Sequence, residues 1–228
     1  MDFSALLRNV SIYAIPLLFA IALHEVAHGW MARYLGDHTA ELLGRLSLNP
    51  MRHIDPVGTV LVPGLLLAAG VLVPSILVTG IPVYGWARPM PVTVSGLRHP
   101  RRAAVCVALA GPAANLLMAA GWCAVLLAIL RFHSVIVIDY WLGYMAQAGI
   151  LINVVVALIS LLPILPLDGG RILAAVLPER LGARFAKVEP LGLVIVLSLI
   201  AMGLIGWLFR PGLFLVGHII DALFKTRA

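Results

Sequence analysis

Two histidines and a glutamate lie close together in the first part of this chain, in the order His24-Glu25-Val26-Ala27-His28. In a helix, residues four apart share a face, so both imidazoles could reach a single metal ion. Glu25 follows His24 directly and could place a carboxylate beside that ion. The spacing is typical of a zinc site with a glutamate base. The plainer alternative is a pair of packed core histidines with Glu25 paired to an arginine.

A hydrolytic zinc site needs three protein ligands and an open fourth position, so a third ligand must come from elsewhere. Asp168 is the predicted third ligand, because it ends the apolar run 140–167 and is followed by two glycines. Pro163 and Pro166 would disrupt a helix just before it. The alternative is a carboxylate that only caps a helix end or a turn. The sequence therefore predicts a metal site formed by His24, His28 and Asp168.

Asn115 is a polar residue deep inside another apolar run, within Gly-Pro-Ala-Ala-Asn. If its helix starts near Arg102, Asn115 lies about 20 Å along it, where an amide without a partner is costly. We predict that the amide donates to the developing oxyanion or to the substrate backbone. A role in helix packing is the alternative, and Asn153 is predicted to form an interhelical hydrogen bond.

The elements that carry these residues are strongly apolar. Hydrophobic residues make up 62% of the 228 residues and charged residues only 11%. A helix that spans a bilayer needs about 20 largely apolar residues. Five runs contain no Asp, Glu, Lys or Arg, and they cover residues 9–23, 56–87, 103–130, 140–167 and 191–209. The net charge of +6 is scattered over short connections, which argues against nucleic acid as a partner.

The expected fold is an all-α polytopic membrane protein with four to five transmembrane helices, a re-entrant segment and short β-strands. The first helix is expected over about 6–35, with Gly36 as its C-cap. The strands are expected around Leu46 and Val92, where apolar and polar residues alternate. The whole chain, 1–228, is expected to form one domain with a catalytic core over about 6–177 and additional C-terminal helices over 190–224.

Residues 56–87 are interrupted by prolines and glycines, among them Pro63, Gly64, Gly70, Pro74 and Pro82. A single kinked span and a re-entrant hairpin therefore both remain open. Re-entrance would place 11 of the 16 Lys and Arg residues on one face of the membrane, whereas a full crossing would divide them nine to seven. The bias of positive charge therefore favours re-entrance.

Three motifs in this order resemble the site-2 protease family of intramembrane zinc metalloproteases. They are His24-Glu25-x-x-His28, Gly111-Pro112-Ala113-Ala114-Asn115 and Leu167-Asp168-Gly169-Gly170. The resemblance covers about 6–177 and includes Leu48-Asn49-Pro50 and Trp86-Ala87-Arg88-Pro89. The chain looks like a compact member without PDZ or CBS modules. Two positions depart from the family pattern: Ser160 stands where an asparagine is usual, and Leu165 where a proline is usual.

The resemblance implies a core of three helices with one zinc ion held by His24, His28 and Asp168, and with Glu25 activating water. It also implies a transmembrane or membrane-anchored protein as substrate. A location in the cell (inner) membrane of a bacterium is expected, as a multi-pass protein in the lipid bilayer. The alternative is a zinc-binding membrane protein or transporter that performs no proteolysis. Oligomeric state is left open by the sequence.

Overall fold

The computed structural model describes residues 3–61, 88–93, 97, 99–132 and 136–225. Short turns of 3-10 helix and π-helix occupy Pro50–Arg52 and Pro56–Leu61. The α-helices in the described residues are α1 (Phe3–Tyr34), α2 (Thr39–Leu42), α3 (Pro100–Phe132), α4 (Ile136–Ser160), α5 (Asp168–Val176), α6 (Glu179–Ala186), α7 (Glu189–Ala201) and α8 (Leu204–Lys225).

Three of these helices are long and apolar enough to cross a membrane. The candidate spans are Ile12–Tyr34 in α1, Pro100–Phe132 in α3 and Trp141–Ser160 in α4. Large apolar side chains such as Phe19 and Leu117 are exposed on them, as expected of a surface that faces lipid rather than water. The chain is therefore a membrane protein, as its composition predicts.

Helix α1 confirms the predicted first helix and its end. It reaches Tyr34, and Gly36 then adopts a left-handed backbone with φ of 103°. The backbone N–H of Asp37 donates to the carbonyl of Ala32 at 2.9 Å, which satisfies a carbonyl of the last turn. Glycine is suited to this position because it has no Cβ to oppose a positive φ.

Small residues let α1, α3 and α4 pack closely around a shared core. Ala20 of α1 is fully buried and contacts a cluster that includes Ala148 and Ile152 of α4. A Cβ added to Gly149 of α4 would lie 2.5 Å from the ring of Trp122 in α3, so that residue must be glycine for the two helices to meet. Close approach through small residues is the usual way in which membrane helices associate.

The prediction of four to five spans is not confirmed, because the predicted last span, 191–209, is not one helix. Helix α7 ends at Ala201, and Gly203 has a φ of 71°, which no continuous helix allows. The 13 residues of α7 extend about 20 Å, short of a hydrocarbon core of about 30 Å. Three helices in the described part of the chain qualify as candidate spans.

The predicted short strands are not confirmed either, since the structure has none in the residues that it describes. Around Val92 the backbone donors are used by side chains: the N–H groups of Met90 and Thr93 donate to carboxylates of Glu25 and Asp37. Around Leu46 the chain follows α2 in turns rather than beside a partner strand. Most of the segment 56–87, whose crossing or re-entrance the sequence left open, lies outside the described residues.

Candidate metal centre

Helix α1 presents His24 and His28 to the interior of the helix bundle. Their ring centroids are 4.7 Å apart and the rings are nearly perpendicular, with 84° between their planes. Both side chains are largely buried, with 12% and 5% of their surface exposed. The spacing of four residues along one helix is sufficient to produce this pair.

Asp168 joins the pair from α5. Its Oδ2 lies 3.1 Å from Nε2 of His24, and its Oδ1 lies 3.3 Å from Nε2 of His28. The ligand atoms of the three residues all lie within 4.8 Å of one another. Helix α4 ends at Ser160 and α5 begins at Asp168, so the chain between them turns the aspartate back toward α1. Two imidazoles and a carboxylate at these distances form a set of ligands that could hold a metal ion.

Each histidine forms a hydrogen bond through Nδ1, the ring nitrogen that points away from Asp168, and these bonds show which ring nitrogen is available to a cation. Nδ1 of His24 lies 2.6 Å from Oδ1 of Asn115, and Nδ1 of His28 lies 2.7 Å from the carbonyl of Val107. A carbonyl oxygen only accepts, so each Nδ1 must carry the proton. In a neutral ring each Nε2 then presents a lone pair to an oxygen of Asp168. A proton on Nε2 or a metal ion shared by the three side chains would each satisfy these opposed lone pairs, and the two imidazoles with one carboxylate fit a metal ion.

Helix α3 approaches the same point through Gly111. A Cβ added there would lie 2.5 Å from Nε2 of His28 and 2.6 Å from Nε2 of His24. Such contacts are shorter than real Cβ atoms make, so any larger residue would displace the imidazoles. The glycine of the Gly-Pro-x-x-Asn motif therefore leaves space at the ligand atoms.

Glu25 is partly buried on α1 and is held by the segment 88–93. Its Oε2 accepts a hydrogen bond of 2.7 Å from the backbone N–H of Met90. Met90 is itself buried and lies close to Gly29, one residue after His28. A bond to a backbone amide fixes the direction of the carboxylate without supplying a second charge.

The other end of the segment 88–93 is held by Asp37, which is buried just beyond the end of α1. Its carboxylate accepts from the backbone N–H of Thr93 and from the backbone and hydroxyl of Thr39. Burial alone would raise the pKa of Asp37, but these bonds, with a smaller contribution from His38, lower it below its usual value. Two carboxylates of the α1 region thus attach this segment beside the histidines.

Asn115 is fully buried and has no amide hydrogen to spare in this structure. Its Nδ2 donates to the carbonyl of Ala20 at 3.2 Å and to Oδ1 of Asn153 at 3.0 Å. The amide therefore supports His24 here, while donation to an oxyanion or to substrate remains a prediction. Asn153 forms the interhelical hydrogen bond expected of it.

Three features of the site are not anticipated by the sequence reasoning. The carbonyl of Val107 and the N–H of Met90 are backbone groups, so their residue types carry no signal. The space at Gly111 depends on how closely α3 approaches α1. A glycine four residues before a buried asparagine, opposite a predicted metal helix, is the one signal that could have drawn attention to it.

Several bacterial proteins are similar to this chain over most of its length. YwhC of Bacillus subtilis, which is named as a zinc metalloprotease, is 35% identical over 199 residues, which are 86% of this chain and 83% of that protein. Rip2 of Mycolicibacterium smegmatis, also named a zinc metalloprotease, is 33% identical over 85% of this chain and 68% of its own length. Rip2 of Mycobacterium tuberculosis is 32% identical over 84% of this chain and 68% of its own.

No protein-family model matches the chain, and no solved structure matches it. The identity to YwhC, over most of both proteins, is nevertheless sufficient to establish kinship. The names of the relatives indicate a zinc metalloprotease, and the cluster of His24, His28 and Asp168 supplies ligands for the metal. The chain belongs to the site-2 protease family of zinc metalloproteases.

Proposed function

We propose that the protein is an intramembrane zinc metalloendopeptidase that hydrolyses peptide bonds of membrane-spanning or membrane-anchored proteins. The observation that carries the proposal is the convergence of His24, His28 and Asp168 at a single point, with Glu25 on the same helix. We further propose that it works as a multi-pass protein in the cell membrane of a bacterium. The similar proteins are bacterial, and the described residues include three helices that could each cross a membrane.

The position of the cluster along α1 supports cleavage within the bilayer. His24 lies near the middle of the candidate span Ile12–Tyr34, about 15 Å along the helix from Tyr34. Half of a hydrocarbon core is about 15 Å thick. A substrate peptide bond must reach that depth, or be drawn to it, before it meets the site.

His24, His28 and Asp168 would hold one zinc ion per chain and leave a position open. Zinc bound there supplies a Lewis acid that polarises the peptide carbonyl and makes water a better nucleophile at neutral pH. Glu25 accepts the proton of the attacking water and later delivers it to the leaving amine. The bond from Met90 orients the Glu25 carboxylate for that transfer, and no covalent intermediate with the protein is required.

A substrate helix presents a difficulty that the site itself does not remove. Its peptide bonds are hydrogen-bonded within the helix and shielded by side chains, and lipid offers no replacement partners. The helix must unwind locally before a carbonyl can approach the cluster. Substrates with helix-weakening residues near the cut are therefore expected to be cleaved best.

The proposal is tested with wild type, Glu25→Gln and Glu41→Gln purified in detergent. Glu41 is exposed and pairs with Arg33 and His38 beyond the end of α1, so its variant controls for the loss of one carboxylate. We expect all three proteins to hold one zinc ion, because Glu25 is not among the ligands. Cleavage of a helix-weakened transmembrane reporter should fall by about 100-fold or more in Glu25→Gln alone, the usual contribution of a general base.

Each contrary result identifies a different error. Zinc in all three proteins without cleavage would favour the binding or transport alternative, and equal cleavage in all three would contradict the role of Glu25 as the base. Cleavage that survives zinc chelation would contradict a metal-dependent mechanism. The cut is located by mass spectrometry of the reporter fragments, and cuts confined to its water-soluble flanks would contradict intramembrane action.

A further inference from the structure

Two asparagines form a buried polar chain between the candidate metal centre and the middle of α4. Asn115 lies in α3 and Asn153 in α4, and both are fully buried. Neither side chain is among the three metal-ligating residues. Amides at this depth are costly unless their hydrogen bonds are satisfied, so their arrangement calls for a reason beyond packing.

The chain of hydrogen bonds has a single consistent direction. It ends at the backbone carbonyl of Gly149, which can only accept, and Nδ2 of Asn153 donates to it at 2.8 Å. Oδ1 of Asn153 is then turned toward Asn115 and accepts from its Nδ2 at 3.0 Å. That leaves Oδ1 of Asn115 to accept from Nδ1 of His24 at 2.6 Å.

The consequence reaches the metal side of the imidazole. If Nδ1 of His24 must donate, Nε2 carries the lone pair, and it is Nε2 that faces Asp168. The bond from Asn115 to the carbonyl of Ala20, at 3.2 Å, holds the same orientation from α1. Asn115 is therefore attached at two points, of which the α4 attachment through Asn153 is the shorter.

We propose that Asn115 and Asn153 are positioning residues that hold His24 in its metal-binding tautomer and orientation. The proposal rests on the proposed function, because it assigns these residues a role toward the metal of that site. Through them α4 contributes to metal affinity although it supplies no ligand. The effect of Asn153 should be the smaller one, since the Ala20 carbonyl still holds Asn115 when Asn153 is replaced.

This proposal and an oxyanion role for Asn115 predict different measurements. A group that touches only the transition state changes the rate of cleavage and leaves metal binding unchanged. A group that orients a ligand changes metal affinity, for which losses of about 10-fold to 100-fold are usual. Replacing Asn153 distinguishes the two roles further, because its amide is hydrogen-bonded to Asn115 and to Gly149 and to no group of the metal cluster.

The test compares wild type, Asn115→Leu, Asn153→Leu and Ile152→Val as full-length proteins in detergent. Leucine has nearly the shape of asparagine but makes no hydrogen bond. Ile152 is the buried neighbour of Asn153 on α4 and has no part in the polar chain, so its variant controls for disturbed packing. Thermal unfolding without metal confirms that each variant is folded. Asn153→Ala replaces Asn153→Leu if the latter is not, because it also removes the acceptor for Asn115 and adds no bulk.

Zinc affinity is measured by competition with a chromophoric chelator, and the ligand field by the visible spectrum of the cobalt-substituted protein. We expect Asn115→Leu to weaken zinc binding by about 10-fold to 100-fold and Asn153→Leu to weaken it less, both with an altered cobalt spectrum. Ile152→Val should match wild type in both measurements.

Wild-type affinity and an unchanged spectrum in Asn153→Leu would overturn the role of α4. Unchanged zinc affinity with lost cleavage in Asn115→Leu would overturn positioning in favour of direct contact with substrate. Both results leave the zinc protease itself intact. Wild type that binds neither zinc nor cobalt would instead overturn the metal centre, and with it both proposals.

Discussion

Replacing Gly111 with alanine tests the central geometric feature of the site, the approach of α3 to the two histidines. The added Cβ would lie 2.5 Å from Nε2 of His28 and 2.6 Å from Nε2 of His24. Ordinary contact begins at 3.4 Å, so the imidazoles of His28 and His24 would have to move away by about 0.9 Å and about 0.8 Å. The backbone of α3 cannot easily move away from the histidines instead, because α3 is packed against α1 and α4.

A displacement of this size exceeds what a catalytic site tolerates. Ligands must be held within about 0.5 Å of their working positions, and a shift of about 1 Å commonly costs 100-fold in rate. We therefore expect Gly111→Ala to lose about 100-fold in cleavage, equivalent to about 2.7 kcal/mol of transition-state stabilisation. Zinc affinity should fall as well, because the added methyl group lies at the ligand atoms themselves.

Gly121→Ala is the matched control on the same helix. A Cβ at Gly121 meets nothing within 4 Å, so this variant should bind zinc and cleave as wild type does. It should also be slightly more stable, by about 0.4–1 kcal/mol, because alanine restricts the unfolded chain. Zinc competition and reporter cleavage are measured on both variants. Equal zinc affinity and equal cleavage in Gly111→Ala and Gly121→Ala would refute the proposed approach of α3.

Two further predictions concern the surroundings of the site. The hydrogen bonds of Asp37 stabilise the native state above its usual pKa of about 3.9 and are lost as the pH falls through its lower native pKa. The difference in thermal stability between wild type and Asp37→Asn should therefore shrink below about pH 4, and a constant difference from neutral to acidic pH would contradict this. Gly149→Ala would press a Cβ against Trp122 at 2.5 Å and should lower stability by about 1–3 kcal/mol. An unchanged unfolding temperature would count against the close packing of α3 and α4.

Features that depend on one continuous segment could be predicted from the sequence. The apolar runs predicted the long helices α1, α3 and α4, because the length of an apolar run indicates a spanning helix. Gly36 predicted the end of α1, because a glycine accommodates the left-handed backbone there. The four-residue spacing placed His24 and His28 on one face for the same reason. The prediction of one helix over 191–209 was wrong because hydropathy does not reveal the left-handed backbone of Gly203, which separates two apolar helices.

Features that depend on two segments meeting were decided only by the tertiary structure. The strand predicted near Val92 does not form in the described residues, because the backbone N–H groups of Met90 and Thr93 donate to the carboxylates of Glu25 and Asp37 instead of to a partner strand. The tautomer of His28 depends on a backbone carbonyl, that of Val107, and backbone groups are the same in every residue. The sequence by itself determined which side chains could bind zinc. Only the packing of α3, α4 and α5 against α1 determined how closely they meet and what orients them, since those distances join residues far apart in the chain.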